Sequence, residues 1–385
     1  MMERLHYLDL IQQAFAVNPV VALLGPRQCG KTTLARDLIK TMPSFKEANY
    51  FDLEDPTHLD RLQQNPKMAL SMLSGLVVID EIQRIPELFP LLRVLVDDLN
   101  LKLRFLILGS ASRDLIKQSS ETLAGRITHI EITPFSLHET NEIKMLWMRG
   151  GFPRSYLAAT DKISFNWRKN YISTFLERDI PLLGIQIPPQ QLRRFWFMLA
   201  HYHAQIFNAS ELGKSLGLAH TTVRRYLDIL VGTFMVRQLR PWFQNINKRE
   251  IKHPKVFLRD SGLLHNLLGI ADEDSLLLHP KLGSSWEGMA LEQVIRFYQA
   301  EAEDCYFWGV HNQGELDLMI VKEGKKIGFE FKFAQSPKLT SSMLMALEIL
   351  KLDSIFVVVP TKADYPLAPR VFVKGINELM LNKNF

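Results

Sequence analysis

The sequence contains no apolar run of about 18 residues or more, so no segment reads as a membrane-spanning helix. Its first residues, MMERLHYLDLIQQAF, carry acidic side chains where an export signal needs an unbroken apolar stretch, and a cytoplasmic location is expected. Cysteine is scarce: Cys29 and Cys305 stand in unrelated contexts with no C-x-x-C or Cys/His spacing. That excludes a disulfide scaffold and a cysteine-based zinc site, and both are expected as free thiols. What is present is the balance of a globular protein, 47% hydrophobic and 23% charged. At 385 residues the chain exceeds one typical core, so two or three domains are expected.

The net charge of +5 is unevenly spread. Between His201 and Asp260 there are ten Lys or Arg against four Asp or Glu, a local +6 that leaves about −1 for the rest. Such an excess favours a polyanionic partner, although a solvated basic face has the same composition.

Near the N-terminus, VVALLGPRQCGKTTLARDLI reads as a short apolar strand, Val20 to Leu24, then a loop, then a helix with Leu34, Leu38 and Ile39 at helical spacing. Within it, Gly25, Pro26, Arg27, Gln28, Cys29, Gly30, Lys31 and Thr32 fit the phosphate-binding pattern G-x-x-x-x-G-K-[ST], with Thr33 following. The glycines let the backbone N–H groups and the helix N-terminus face a β-phosphate. Lys31 would neutralise the β- and γ-phosphates, and the Thr32 hydroxyl would ligate Mg²⁺. Arg27 and Gln28 are expected to shape the loop. A second strand, Leu76 to Ile79, runs into Asp80, the expected magnesium partner, and Glu81, the expected activator of the attacking water. A third, LRFLILGS, ends at Ser110, where a polar sensor of the γ-phosphate is expected. Arg126, in ETLAGRITHIEI, is a candidate arginine finger in cis or in trans; a surface arginine at a helix–strand junction is the other reading.

GPRQCGKTTL, VVIDEIQRIPELFPLLR, LILGSAS, LAGRI and ITPFSLHE together resemble the bacterial and archaeal AAA-type ATPases that carry a C-terminal domain of unknown function. GGFPRSY, YISTFLERDI, KVFLRDSGLLHNLLG and WEGMALEQVI are similar to the same family, so the resemblance spans almost the whole chain. It implies an ATP-binding protein and leaves the biological task open.

Further on, SELGKSLGLAHTTVRRYLDILVGTFMVRQL has helix-turn-helix spacing: a helix from Ser210 to Ser215, Gly217 as a stop, and a second helix from Thr221 or Thr222. Val223, Tyr226, Leu227 and Leu230 form the second helix's apolar stripe. FMVRQLRPWF and NINKREIKHPKVFL would be the wing of a winged helix. Arg224, Arg225, Arg237 and Lys248 are the expected DNA phosphate contacts. A winged helix docked on a protein surface is the alternative.

Finally, GELDLMIVKEGKKIGFEFKF reads as a hairpin. If Glu323-Gly324 is a two-residue turn, Asp317 opposes Glu330 and Glu315 opposes Lys332. Like charges placed opposite one another are destabilising unless a cation lies between them. The pattern Asp-x12-Glu-x-Lys resembles the PD-(D/E)XK nuclease fold, with Leu316 in place of the proline before the aspartate. That resemblance implies Mg²⁺ on Asp317 and Glu330, Lys332 steadying the hydroxide or leaving charge, and one more acid from the preceding helix. Glu287 shares a stripe with Leu291, Val294 and Tyr298 and is the expected ligand, whereas Glu292 is placed to pair with Arg296. A salt-bridged hairpin without catalysis is the other reading.

The expected fold class is α/β: an AAA-like P-loop ATPase domain with a parallel sheet over 1–142, a helical connector over 143–205, a winged helix over 206–265 and a nuclease-like α/β domain over 266–385. The expected function is a Mg-ATP-dependent ATPase whose nucleotide state controls DNA binding and a nuclease-like tail, with possible homo-oligomers and no membrane partner. The alternative is a nucleotide-dependent switch or scaffold that binds a protein and cuts nothing.

Overall fold

A computed structural model describes residues 2, 4–43, 45–98, 100–110, 122–243, 251, 253–310 and 314–381. The chain divides into two compact units, residues 1–134 with 232–234, and residues 135–231 with 235–385.

The first unit is built on five parallel strands: β1 (Val20–Gly25), β2 (Tyr50–Asp52), β3 (Gly75–Asp80), β4 (Leu103–Ser110) and β5 (Ile127–Glu131), in the order β2-β3-β4-β1-β5. β1 is buried along its whole length, as its uninterrupted VVALLG requires of a parallel strand covered on both faces. Leu34 and Leu38 of the helix Lys31–Lys40 pack on one face with Ile11 and Phe15. Leu88, Leu92 and Leu95 of the helix Leu88–Asp97 pack on the other. The register sets Gly25 beside Ser110 and Ile79 beside Ile107, so the ends of β1, β3 and β4 share one carboxyl edge. Open α/β sheets bind ligands at that edge.

The second unit carries a nine-stranded sheet. Its strands are β6 (Gln205–Ile206), β7 (Val236–Pro241), β8 (Lys255–Leu258), β9 (Cys305–Val310), β10 (Gly314–Lys322), β11 (Lys325–Phe331), β12 (Ser354–Val359), β13 (Asp364–Ala368) and β14 (Val371–Gly375), in the order β13-β14-β12-β11-β10-β9-β7-β8-β6. β7 and β8 pair antiparallel, and β7 continues the sheet through a short parallel pairing with β9, Arg240 beside Tyr306. Strands on either side of residue 265 therefore belong to one sheet.

The helices Ala209–Leu216 and His220–Gly232 lie close to their expected spans. The first is capped by Asn208 and ends at Gly217 in the left-handed conformation, which costs glycine little. Val223, Tyr226, Leu227 and Leu230 are all buried, as the helical period requires, in a core with Leu192, Phe195 and Trp196 of the helix Pro189–His201. Among the described residues no helix is long and apolar enough to cross a membrane.

Candidate functional site

At the carboxyl edge of the first unit's sheet, β1 passes into the loop at Gly25 because nothing larger fits: a Cβ there would lie 2.0 Å from the Ile132 carbonyl oxygen. The loop turns through Gln28 and Gly30, both at positive φ, and enters the helix at Lys31. Lys31 is 5% exposed, and its amine donates to the Gly25 and Pro26 carbonyls at 2.9 and 3.0 Å. Those carbonyls keep the ammonium satisfied at the mouth of the loop. Cys29 is buried and directs its thiol to the Ile132 carbonyl. Arg4 donates to the Cys29 and Thr133 carbonyls at 3.2 and 2.9 Å, tying the loop to the end of β5. Sequence reasoning missed Arg4, which lies outside every local motif.

The Thr32 hydroxyl donates to Asp80 Oδ2 at 2.7 Å, and the Tyr50 hydroxyl reaches the same oxygen at 3.1 Å. Asp80 Oδ1 is buried and has no hydrogen-bond partner among the described residues. Burial raises the Asp80 carboxyl above its usual range, and the adjacent Glu81 adds to the shift against the pull of Thr32 and Tyr50. A buried acceptor oxygen without a donor, next to a threonine hydroxyl and a phosphate loop, suits a hard cation. The residues present thus fit magnesium: Thr32 and Asp80 would hold it, and it would neutralise charge on the bound phosphates.

Glu81 follows at φ 58°. Its carboxylate accepts the Ser110 hydroxyl at 2.9 and 3.2 Å and the Gln83 amide. Arg27 approaches Glu81 at 4.0 Å and pairs with Glu54. Gln83 and Tyr50 were not singled out from the sequence; Gln83 lies in the same DEIQ stretch, two residues past the glutamate. Thr33 is exposed beside the loop.

Arg126 is placed elsewhere. It precedes β5, its carbonyl accepts the Val20 N–H at 3.1 Å, and its guanidinium pairs with Asp97 at 2.6 Å. Val20 begins β1 and Gly25 ends it, so Arg126 lies at the opposite edge of the sheet from the phosphate loop. A finger acting in cis does not agree with this position.

In the second unit the hairpin register follows the expected rule: Leu318 is beside Phe329 and Lys322 beside Lys325, around Glu323 and Gly324 at positive φ. The ladder between β10 and β11 extends no further than Leu318. A bulge between Leu316 and Met319 breaks the alternation and puts both residues in one core with Trp308 and Met343. The expected opposition of Glu315 to Lys332 is not realised.

Asp317 Oδ2 instead accepts the Phe331 N–H at 3.0 Å. Lys332 reaches Glu330 at 2.9 Å and Asp317 Oδ2 at 4.0 Å. On the other side stands a cation the sequence did not reveal. Lys255, at the start of β8 and 4% exposed, lies 3.4 Å from Glu287 and 3.9 Å from Asp317 Oδ1, and pairs with Glu315. Burial alone would lower the Lys255 amine, but Glu287, Asp317 and Glu315 outweigh it and hold it above its usual range. Burial raises Glu287 and Glu330 to about 8 each, with the Asp317 charge adding to both.

Asp317, Glu330 and Glu287, expected as metal ligands, are thus engaged by two lysines. Among the described residues no group of three or more Asp, Glu, His or Cys is arranged to hold a metal. The cluster as it stands does not fit a divalent ion.

Arg237 is a further correction. It is half-buried, and its guanidinium pairs with the buried Glu292 rather than standing free as a phosphate contact. Arg259 and Arg296 reach the same carboxylate at 3.4 and 3.6 Å. Burial opposes ionisation of Glu292, yet the three guanidiniums hold its carboxyl below the usual range. The pairing with Arg296 was readable from the i+4 spacing; the convergence of Arg237 and Arg259 was not. Arg224 and Arg225 are exposed on the helix His220–Gly232. Lys248 lies outside the described residues.

Comparison with known proteins adds family context. Residues 17–141 match the AAA domain family, residues 140–274 match a domain of unknown function (DUF8612), and residues 282–379 match another (DUF4143). Two uncharacterized proteins, Mb2031c of Mycobacterium bovis and Rv2008c of Mycobacterium tuberculosis, are each 46% identical over 372 residues, covering 96% of this chain and 83% of their own. Among solved structures, the Walker-type ATPase PABY2304 of Pyrococcus abyssi is similar over 70% of this chain and 96% of its own, at 16% identity and a TM-score of 0.49.

Proposed function

This chain belongs to the family of the two mycobacterial proteins it matches along most of its length, and from that premise we propose that it is a Mg-ATP-dependent switch that binds DNA through its second unit. Its N-terminal part is an AAA-type P-loop ATPase domain. In the proposed cycle Lys31 and the loop 25–33 hold the phosphates, and Thr32 and Asp80 hold the magnesium. Glu81 then orients the attacking water, and Ser110 senses the γ-phosphate. Arg126 has a role as a finger only in trans, on a neighbouring copy.

One observation carries the reading: Lys31, Thr32, Asp80, Glu81 and Ser110 converge at one edge of a parallel sheet, with Asp80 Oδ1 left without a donor among the described residues.

We read residues 1–142 as the ATPase domain, 143–205 as a helical connector, 206–265 as a winged helix and 266–385 as a nuclease-like fold. For the winged helix the support is the run of the helix Pro189–His201, β6, two helices at turn spacing, then β7 and β8. For DNA the support is the pair Arg224 and Arg225, exposed on the second of those helices. For the nuclease-like fold it is a helix, three antiparallel strands, a helix and a fourth strand parallel to the third, with Asp317 and Glu330 on neighbouring strands.

A second reading, a scaffold for a protein partner with a tail that cuts nothing, gains support from Lys255 and Lys332, which between them engage Glu287, Asp317 and Glu330, the carboxylates that cutting would require. The test is ATP hydrolysis by wild type and Lys31→Ala, with and without single- and double-stranded DNA. Hydrolysis that Lys31→Ala abolishes and DNA stimulates supports the first reading. Hydrolysis indifferent to DNA, in a protein that DNA does not retain, favours the second.

A further inference from the structure

The carboxylates around β10 already have a cation, and it belongs to the chain. Lys255 is fixed from both sides, because β8 lies between β6 and β7 with Lys255 beside Ile206 on one strand and Leu239 on the other. Its side chain is almost wholly buried, and its ammonium also lies 5.6 Å from the centre of the Phe307 ring. From there it meets one carboxylate of the helix Leu282–Phe297, Glu287, and two of β10, Glu315 and Asp317.

The two oxygens of Asp317 are divided between two ammonium groups. Oδ1 faces Lys255 at 3.9 Å; Oδ2 faces Lys332 at 4.0 Å and accepts the Phe331 N–H. Glu330 is engaged by Lys332 at 2.9 Å. Magnesium binds carboxylate oxygens at about 2.0–2.1 Å and needs near-octahedral room. An ammonium held among the same oxygens occupies that room and repels a second cation in a site of low dielectric.

We propose that Lys255 is a built-in cation standing where a divalent metal would bind, so that the acidic centre of Glu287, Glu315, Asp317 and Glu330 is closed to metal in the folded chain and opens only when Lys255 is displaced or its charge removed. Because Lys255 belongs to β8, whatever moves the β7–β8 pair also governs access to the centre. The closure is independent of whether Arg224 and Arg225 bind DNA, and it concerns metal occupancy rather than cutting.

The probe is Mn²⁺, titrated calorimetrically into nucleotide-free full-length protein, with a melting curve recorded at each Mn²⁺ concentration. Wild type is expected to take up no Mn²⁺ that depends on Asp317. Lys255→Met keeps the length of the side chain and removes its charge. It is expected to bind one Mn²⁺ per chain with a Kd on the order of 1 mM or tighter. It should also melt about 4 °C or more higher in saturating Mn²⁺ than without it. Lys255→Met combined with Asp317→Asn should lose both effects.

Two results overturn the proposal: Mn²⁺ uptake by wild type that Asp317→Asn removes, or a folded Lys255→Met that takes up none. Should Lys255→Met fail to fold without metal, folding restored by Mn²⁺ supports the proposal. Failure in its presence as well, with Lys255→Met/Glu315→Gln folding but binding nothing, overturns it.

Discussion

Thr32 donates its hydroxyl to one oxygen of Asp80 across 2.7 Å, while the other oxygen of the same carboxylate is buried without a donor among the described residues. This pairing holds a group from the first turn of the helix Lys31–Lys40 against one at the end of β3, in place for a cation, and sets the first prediction. Asp80→Asn leaves the threonine a partner but removes the charge that would hold magnesium. Hydrolysis should fall by roughly two to three orders of magnitude, the scale of losing one preorganised charge partner. Nucleotide binding in excess EDTA should change little. Isothermal titration with and without Mg²⁺ separates the two effects.

Glu81 accepts hydrogen bonds from Ser110 and Gln83, so its carboxylate is positioned by two neutral donors. Glu81→Gln should retain ATP with near-wild-type affinity and hydrolyse it at least about a hundredfold more slowly, as removal of a general base requires. Gln83→Leu takes away one positioning bond and leaves the Ser110 bond to the carboxylate in place. Its effect should appear in kcat by roughly threefold to tenfold, with KM nearly unchanged. A rise in KM with kcat intact would assign Gln83 to ground-state binding instead.

The convergence of the candidate nucleotide site's residues was legible because its parts are local. A strand, a glycine-bracketed loop and a helix are consecutive, and Asp80 and Ser110 sit at the ends of apolar runs whose parallel pairing aligns them with Gly25. The β10–β11 register was legible for the same reason from Lys322–Lys325 to Leu318–Phe329, since a two-residue turn at Glu323 and Gly324 sets those pairs; the bulge between Leu316 and Met319, which ends the rule before Glu315 and Lys332, was not. Lys255 was not legible. It comes to Asp317 only because β7 pairs with β9 across a long stretch of chain, Arg240 beside Tyr306, and no local period encodes such a pairing. Arg237 was misplaced because a tally of charges says nothing of burial, and its partner Glu292 is on a helix far along the chain.

The basic residues of the middle segment should therefore separate into two classes. Arg237→Ala removes one of three arginines from Glu292, and the loss should lower stability by about 2–3 kcal/mol, Arg259 and Arg296 keeping the carboxylate partly neutralised. It should leave the salt dependence of DNA binding unchanged. Arg224→Ala with Arg225→Ala should leave the melting temperature unchanged within a degree or two, since both side chains are exposed. The slope of log affinity against log salt should shrink by about 0.9 for each phosphate that is no longer neutralised. Equal slopes for wild type and the double variant would remove this helix from the DNA interface.

Asp317 and the five charged groups around it dictate how stability responds to pH. Glu287, Glu315, Asp317 and Glu330 against Lys255 and Lys332 leave a formal excess of two negative charges, and protons on Glu287 and Glu330, both raised to about 8 from 4.5, bring the cluster to neutrality. A carboxyl whose folded value exceeds its unfolded one binds more protons folded than unfolded across that interval. Its contribution is full below about 4.5 and disappears as pH rises through about 8. His203 and His265, buried and lowered to about 3, act in the opposite sense, but only between about 3 and 6.5. Between pH 6.5 and 8 the carboxyls act without that opposition, so stability should fall as pH rises, by about 1–2 kcal/mol per group. Glu330→Gln keeps the neutral shape and cannot ionise, and should flatten the decline. Denaturant midpoints at pH 6.5 and 8.0 for the two proteins measure it: a Glu330→Gln curve parallel to wild type would mean that Glu330 is already ionised beside Lys332 at neutral pH.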